Sequence, residues 1–79
     1  MLELRPNCEC CDRDLPPDSP LARICTYECT WCQGCAETRL GNICPNCGGN
    51  LVERPIRPVA KLLTHPASTI RKHRPERCA

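Results

Sequence analysis

Apolar positions in this chain come in short, widely spaced clumps, and no single period runs for long. Leu2 and Leu4 alternate with charged neighbours, which predicts a short strand at the start. Residues 12–20, DRDLPPDSP, combine three prolines with three aspartates and predict a loop without regular structure. Leu21 to Thr26 suits a second short strand. Ala36 to Leu40 has helix-forming composition and Gly41 stands where a C-cap would stop it, so one or two helical turns are expected there. CPNCGG at 44–49 predicts a tight turn. After Val52 the pattern changes to RPIRPVAKLLTHP, with prolines at 55, 58 and 66. Pro58 can open a brief helix through Leu63 that Pro66 would end, but so few apolar residues favour an extended, partly disordered state. The expected division is a head over 1–52 and a basic, proline-containing tail over 53–79.

Composition changes this picture mainly through sulfur. The 79 residues include ten cysteines but one Trp, one Tyr and no Phe. A chain this short buries a modest share of its surface and needs metal, disulfides or a partner to fold. The start, MLELRPNCEC, lacks the basic stretch and apolar run of a signal peptide, and no segment reaches the roughly 20 apolar residues of a membrane span. A reduced, cytoplasmic setting is therefore expected, with no membrane association. In that setting ten cysteines point to metal rather than to a disulfide framework.

Eight of the cysteines fall into pairs: Cys8-x2-Cys11, Cys25-x3-Cys29, Cys32-x2-Cys35 and Cys44-x2-Cys47. C-x2-C is a natural half-site, because a tight turn can aim both sulfurs at one ion while its peptide N–H groups spread the thiolate charge. Eight thiolates make two closed tetrahedral sites, the arrangement of structural zinc, so two Zn2+ ions are expected. Two iron–sulfur readings compete for CTYECTWCQGC at 25–35. Cys25-x3-Cys29-x2-Cys32 has radical-SAM spacing, but that chemistry needs a far larger barrel. Cys29-x2-Cys32-x2-Cys35 begins like a ferredoxin run, yet the following Cys-Pro comes too late, at Cys44-Pro45. Cys10 and Cys78 stand outside the pairs. Cys10 is either a substitute for Cys11, a spare thiol or an oxidant sensor, and Cys78 a free near-terminal thiol.

The order C-x2-C-x13-C-x3-C-x2-C-x2-C-x8-C-P-x-C resembles a RING-type cross-brace with cysteine at every ligand position, including the aromatic Trp31 before the fifth ligand and Pro45 inside the last pair. MLELRPNCECC…CPNCGG also resembles, over at least residues 1–58, a short bacterial family catalogued as domain of unknown function 1272, which brings no known activity. The RING resemblance implies a small, metal-stabilised α+β domain of treble-clef type. It also implies interleaved sites, with Cys8, Cys11, Cys32 and Cys35 on one ion and Cys25, Cys29, Cys44 and Cys47 on the other. Spacing alone leaves a sequential pairing open, with Cys8, Cys11, Cys25 and Cys29 on one ion and the last four on the other. Ubiquitin-ligase work does not follow from the resemblance: the positions that meet the conjugating enzyme hold Cys10 and either Leu40 or Ile43, and Gly48 follows the last ligand.

Charge bears on the partner. Residues 1–50 carry four arginines against seven acids, and residues 51–79 carry seven Lys or Arg against two Glu, formal charges of −3 and +5. Eight thiolates on two Zn2+ ions would take the head to about −7. Such a head repels a phosphate backbone, so any nucleic-acid binding has to come from the tail. The expected role is that of a monomeric binding or scaffold module for a macromolecular partner, most simply a protein, without catalysis of its own. Nucleic-acid binding through the tail and a redox-responsive zinc switch are the alternatives. With every coordination position filled, no metal-bound water is available for hydrolysis. His65 and His73 are distant from every pair. Tyr27 and Trp31 are expected to fill space around the metals rather than to stack on bases.

Overall fold

Regular pairing centres on residues 22–32, and the computed structural model, which describes residues 2–78, arranges the remaining chain around them. Strand β1 (Ala22–Ile24) runs antiparallel to β2 (Thr30–Cys32), with Ala22 opposite Cys32 and Ile24 opposite Thr30. β3 (Val52–Glu53) adds to the other side of β1, giving the order β2-β1-β3. All three residues of β2 are buried, and Trp31 is the largest buried side chain. Around it lie Leu15, Ala22, Ala36 and Leu51 together with five buried cysteines of the pairs and Cys10 and Cys78. Sulfur thus occupies volume that Leu, Phe and Ile fill in larger domains.

Helix α1 (Gln33–Thr38) begins directly at the end of β2, three residues earlier than the composition of 36–40 suggests. The reason is sulfur capping. Cys32 keeps an extended backbone, and its Sγ accepts from the Cys35 amide at 3.5 Å, taking the place of a Ser or Asp N-cap oxygen. The helix stops through two left-handed residues, Gly41 and Asn42, and the Asn42 amide bonds back to the Ala36 carbonyl at 2.8 Å. A one-turn helix α2 (Val59–Leu62) follows Pro58, and a 3-10 turn spans Pro75–Arg77.

The strand expected at Leu2–Leu4 does not form. Leu4 is buried, but no strand lies beside it, and its carbonyl instead accepts from the Ser68 amide at 2.9 Å. The chain beyond β3 returns along the head. The amide of Arg54 bonds to Ala22 O, and its guanidinium, 1% exposed, donates to the carbonyls of Arg5, Leu15 and Pro16 at 2.9, 3.3 and 2.9 Å. Desolvation lowers its pKa, and carbonyl dipoles alone hold the charge. Arg57 reaches the carbonyls of Leu2 and His65 at 2.6 and 2.7 Å.

Residues 68–74 then run parallel to 4–9. Asn7 exchanges two bonds with the backbone of Lys72, at 2.9 and 3.3 Å, and the Arg74 amide donates to Glu9 O at 2.7 Å. This parallel course carries Cys78 to Cys10, and the two are joined as a disulfide with Cα atoms 5.8 Å apart. Cys78 is therefore not the free thiol that its position near the chain end suggests, and Cys10 is not a spare one. The radius of gyration, 11.8 Å, is close to the ~12 Å of a single packed chain of this length, and the principal extents are 36 × 20 × 18 Å.

Arg54→Ala would leave three carbonyls without their donor. At about 1–3 kcal/mol for each unsatisfied buried group, the expected loss is roughly 3 kcal/mol or more. Arg54→Lys should restore only part of it, because an ammonium cannot span three acceptors. Guanidinium-induced unfolding of the metal-saturated protein checks both values.

Candidate metal centre

Two cysteine-containing turns share one backbone design. In the first, Asp12 N donates to Cys8 O and Cys8 N to Arg13 O, both at 2.9 Å. In the second, Gly48 N donates to Cys44 O and Cys44 N to Gly49 O, both at 2.8 Å. The residue after the second cysteine is left-handed in each, with φ +63° at Asp12 and +78° at Gly48. Only the second carries the glycine that marks such a turn in a sequence. Asp12 uses its side chain instead: its Oδ1 accepts from Asn7 Nδ2 at 2.8 Å and from the Arg71 guanidinium at 3.0 and 3.3 Å. Arg71 also draws the Asp12 pKa down.

The hairpin connects these turns to the remaining pairs. Cys25 leaves the end of β1, while Cys32 ends β2 and Cys35 lies in the first turn of α1. Because the strands are antiparallel, Cys25 and Cys32 stand at opposite ends of the hairpin, about 10 Å apart at the strand rise. The first knuckle meets one end and the second knuckle the other. The sulfurs of Cys8, Cys11, Cys32 and Cys35 lie within 4.8 Å of one another, as do those of Cys25, Cys44 and Cys47. Cys29 is adjacent to the second group, beside both Cys25 and Cys44, and its Sγ accepts from Asn46 Nδ2 at 3.3 Å. The first pair is thus grouped with the third, and the second with the fourth. Cys10, at the centre of the first knuckle, joins neither group.

The donor chemistry fits a thiophilic cation. A tetrahedron with metal–sulfur bonds of ~2.3 Å has edges of about 3.8 Å, and Cys11 Sγ and Cys32 Sγ lie 3.7 Å apart. Burial raises the thiols of Cys8, Cys35 and Cys44, and pushes Cys25 up to about 12. One member of each group is poised the other way. The Thr26 hydroxyl, at 3.4 Å, and the Gly49 amide, also at 3.4 Å, bring Cys47 down to about 6. Burial acts to raise Cys32 too, but the Cys35 amide and the neighbouring thiols outweigh it, and Cys32 falls below the ordinary value. Each group therefore sets thiols whose protons burial holds more tightly beside one whose proton is lost more readily. A divalent cation displaces those protons and repays the burial of thiolates.

A family model described as "Protein of unknown function (DUF1272)" matches residues 1–57. The chain belongs to this family. An uncharacterized protein of Rhizobium meliloti (strain 1021) is 68% identical over 79 residues, covering 100% of this chain and 94% of the relative. No solved structure matches the chain significantly. The DUF1272 match takes in all eight grouped cysteines and Cys10, and it ends just after the buried Arg54; Cys78 lies beyond it. Among the described residues there is no helix long and apolar enough to cross a membrane.

Two supporting residues escape a reading by cysteine spacing. Glu9, 1% exposed, accepts from the Thr30 amide and from Arg5 through Oε2, both at 3.1 Å, and so ties the first knuckle to the start of β2. An acidic residue between two cysteines gives no sequence signal of this. Thr26 bonds Cys47 from across the second site. Of the two aromatics, Trp31 is buried as expected, but Tyr27 is 73% exposed. The backbone of the Cys25–Cys29 loop explains the difference: the Tyr27 amide faces Cys25 Sγ at 3.2 Å and its side chain points to solvent.

Gly49 has no freedom to change. An added Cβ would come within 2.6 Å of Thr26 Cγ2, and rotating Thr26 away would break its bond to Cys47. Gly49→Ala is expected to weaken metal binding at the second group by about tenfold, the worth of one such sulfur hydrogen bond. Thr26→Ser, which removes Cγ2 and keeps the hydroxyl, should restore it in the double variant. Competition with a chromophoric chelator reads both.

Proposed function

We propose that the protein is a small zinc-binding module that holds two structural Zn2+ ions in a RING-like cross-brace and presents a surface to a protein partner, as a cytoplasmic monomer without catalysis of its own. The grouping of thiols from opposite ends of one hairpin carries this reading. Cys8, Cys11, Cys32 and Cys35 hold the first ion; Cys25, Cys44 and Cys47 hold the second, with Cys29 as fourth ligand. Zinc suits four thiolates better than harder cations do, and a filled tetrahedron leaves no position for substrate. Each ion supplies folding free energy that the apolar core lacks.

The state of the basic segment favours a protein over a nucleic acid. Three of its seven cations, Arg54, Arg57 and Arg71, are engaged by carbonyls or carboxylates of the same chain, leaving four to meet phosphates. Val52, Ile56, Val59 and Leu63 are exposed from β3 to the end of α2, whereas Leu51 is part of the core. An apolar strip on short extended and helical segments suits docking onto a protein surface.

Purified protein is expected to be colourless and to contain two zinc ions per chain; a brown preparation reconstituted with iron and sulfide would overturn this. Zinc in finger peptides contributes about 10–16 kcal/mol at neutral pH, so chelation should unfold the head. In the cadmium-substituted protein, Cys8→Ser and Cys35→Ser should perturb the same 113Cd resonance and Cys47→Ser the other. Couplings from Cys8 and Cys25 to one cadmium would replace this arrangement with the sequential one.

The partner class is read separately. Val59→Asp and Leu63→Asp should abolish capture of a protein from nuclease-treated native lysate while leaving zinc content unchanged. Shifts of nucleic-acid probes should be weak and vanish at physiological salt. A tight salt-resistant nucleic-acid complex would reverse the order of the two partner classes.

A further inference from the structure

Cys10 and Cys78 contribute to neither thiol group, yet a parallel course of the arm along residues 4–9 brings them together from 68 residues apart. We propose that this pair is a reversible oxidation site, exchanging with low-molecular-weight disulfides and thiols, and that its state decides whether residues 68–78 are latched onto the first knuckle.

The geometry separates this chemistry from the metal-binding thiols. Cys10 sits between Cys8 and Cys11 in sequence, but its side chain leaves the knuckle toward Cys78 while theirs turn to Cys32 and Cys35. Oxidising the pair therefore takes no ligand from a metal ion. With residues 68–74 in place along 4–9, the Cα separation of 5.8 Å lies within the range a disulfide needs.

What holds the arm otherwise is sparse. Ser68, Lys72 and Arg74 each give one backbone amide to the head, at 2.9, 3.3 and 2.7 Å, and Asn7 Nδ2 gives one bond in return to Lys72 O at 2.9 Å. Arg71 meets Asp12 and Asp14 at 3.0 and 2.7 Å, but both ion pairs are largely in solvent and contribute little. His73 adds one contact to Cys10 O at 3.1 Å. The last residues before Cys78 form a single exposed 3-10 turn. Fraying of that turn presents the buried pair to a small reactant without unfolding the head. Once reduced, the arm has few anchors left, and its release uncovers Asn7 and takes Arg71 from Asp12 and Asp14.

The exchange balances in two steps. One thiolate of the pair attacks a sulfur of the small disulfide and expels one thiolate. The second protein thiolate then attacks the mixed disulfide and expels the other. Two protein thiols lose two protons and two electrons, and the oxidant becomes two thiols; a small dithiol reverses both steps.

The test uses the zinc-loaded full chain, equilibrated with mixtures of oxidised and reduced glutathione, quenched by alkylation and mapped by mass spectrometry. The expected result is one disulfide, Cys10–Cys78, that forms and opens reversibly with unchanged zinc content. In the reduced form the amides of Ser68, Lys72 and Arg74 should exchange with deuterium at least roughly tenfold faster, while those of β1 and β2 stay protected. Cys78→Ser should show the fast exchange even under oxidising conditions. Failure of Cys10 and Cys78 to pair at any ratio, oxidation that recruits one of the other eight cysteines and ejects zinc, or equal arm exchange in both states would overturn the proposal. The latch does not depend on the identity of the metal: a chain that carried no zinc but still closed Cys10–Cys78 would refute the zinc reading and support the latch.

Discussion

Ala22 faces Cys32 and Ile24 faces Thr30, and this three-rung register governs what the remaining chain can do. It sets Cys25 and Cys32 at opposite ends of one hairpin, so two thiol groups form instead of one large cluster. A slip of one residue would turn Trp31 and Cys32 each to the face it does not now occupy. Cys32 would then leave Cys8 and Cys11, Trp31 would leave the core, and the sulfur cap that starts α1 would be lost. Glu9 guards against the slip, because its carboxylate and its amide both bond to Thr30. With so little apolar volume available, pairing register and sulfur placement replace the broad hydrophobic contacts that fix larger folds.

Much of the site could be read from the chain because cysteine spacing is a local property. C-x2-C predicts a knuckle from four residues, and CPNCGG announces both the turn and the left-handed glycine that closes it. The first knuckle is the same turn with Asp12 in the glycine's place, so its geometry is not visible in composition. The choice between interleaved and sequential grouping depends on which strand ends meet which turns, which spacing does not contain. Helix α1 begins early for a related reason: its cap is a thiol, a residue no capping rule ranks. The strand expected at Leu2–Leu4 failed because alternation describes which side is buried, not whether a partner lies alongside.

The residues after β3 were the least legible part. Proline and charge describe a segment with little cause to order itself, and its Val59, Leu63 and Ile70 are exposed. Order comes from the head. Arg54 is an arginine in a basic run, indistinguishable by sequence from Arg57 or Arg74, yet it occupies a pocket of three carbonyls. Likewise Asn7 looks like a loop residue before a cysteine, but its amide pairs with the Lys72 backbone as a strand would. Long-range partners of this kind leave no periodic trace.

The bond between Cys10 and Cys78 also changes the topology of the molecule. It turns residues 10–78 into a covalent ring, from which the residues before Cys10 branch. A protease that cuts once inside the ring, for example in the exposed residues around α2, leaves a single covalent molecule whose ends stay tethered. A cut in the branch severs a peptide that only its contacts then hold, among them the buried Leu4 and the hydrogen bonds to Leu2 O and Leu4 O. Two kinds of scission that look alike on a linear map therefore have opposite consequences for the integrity of the head.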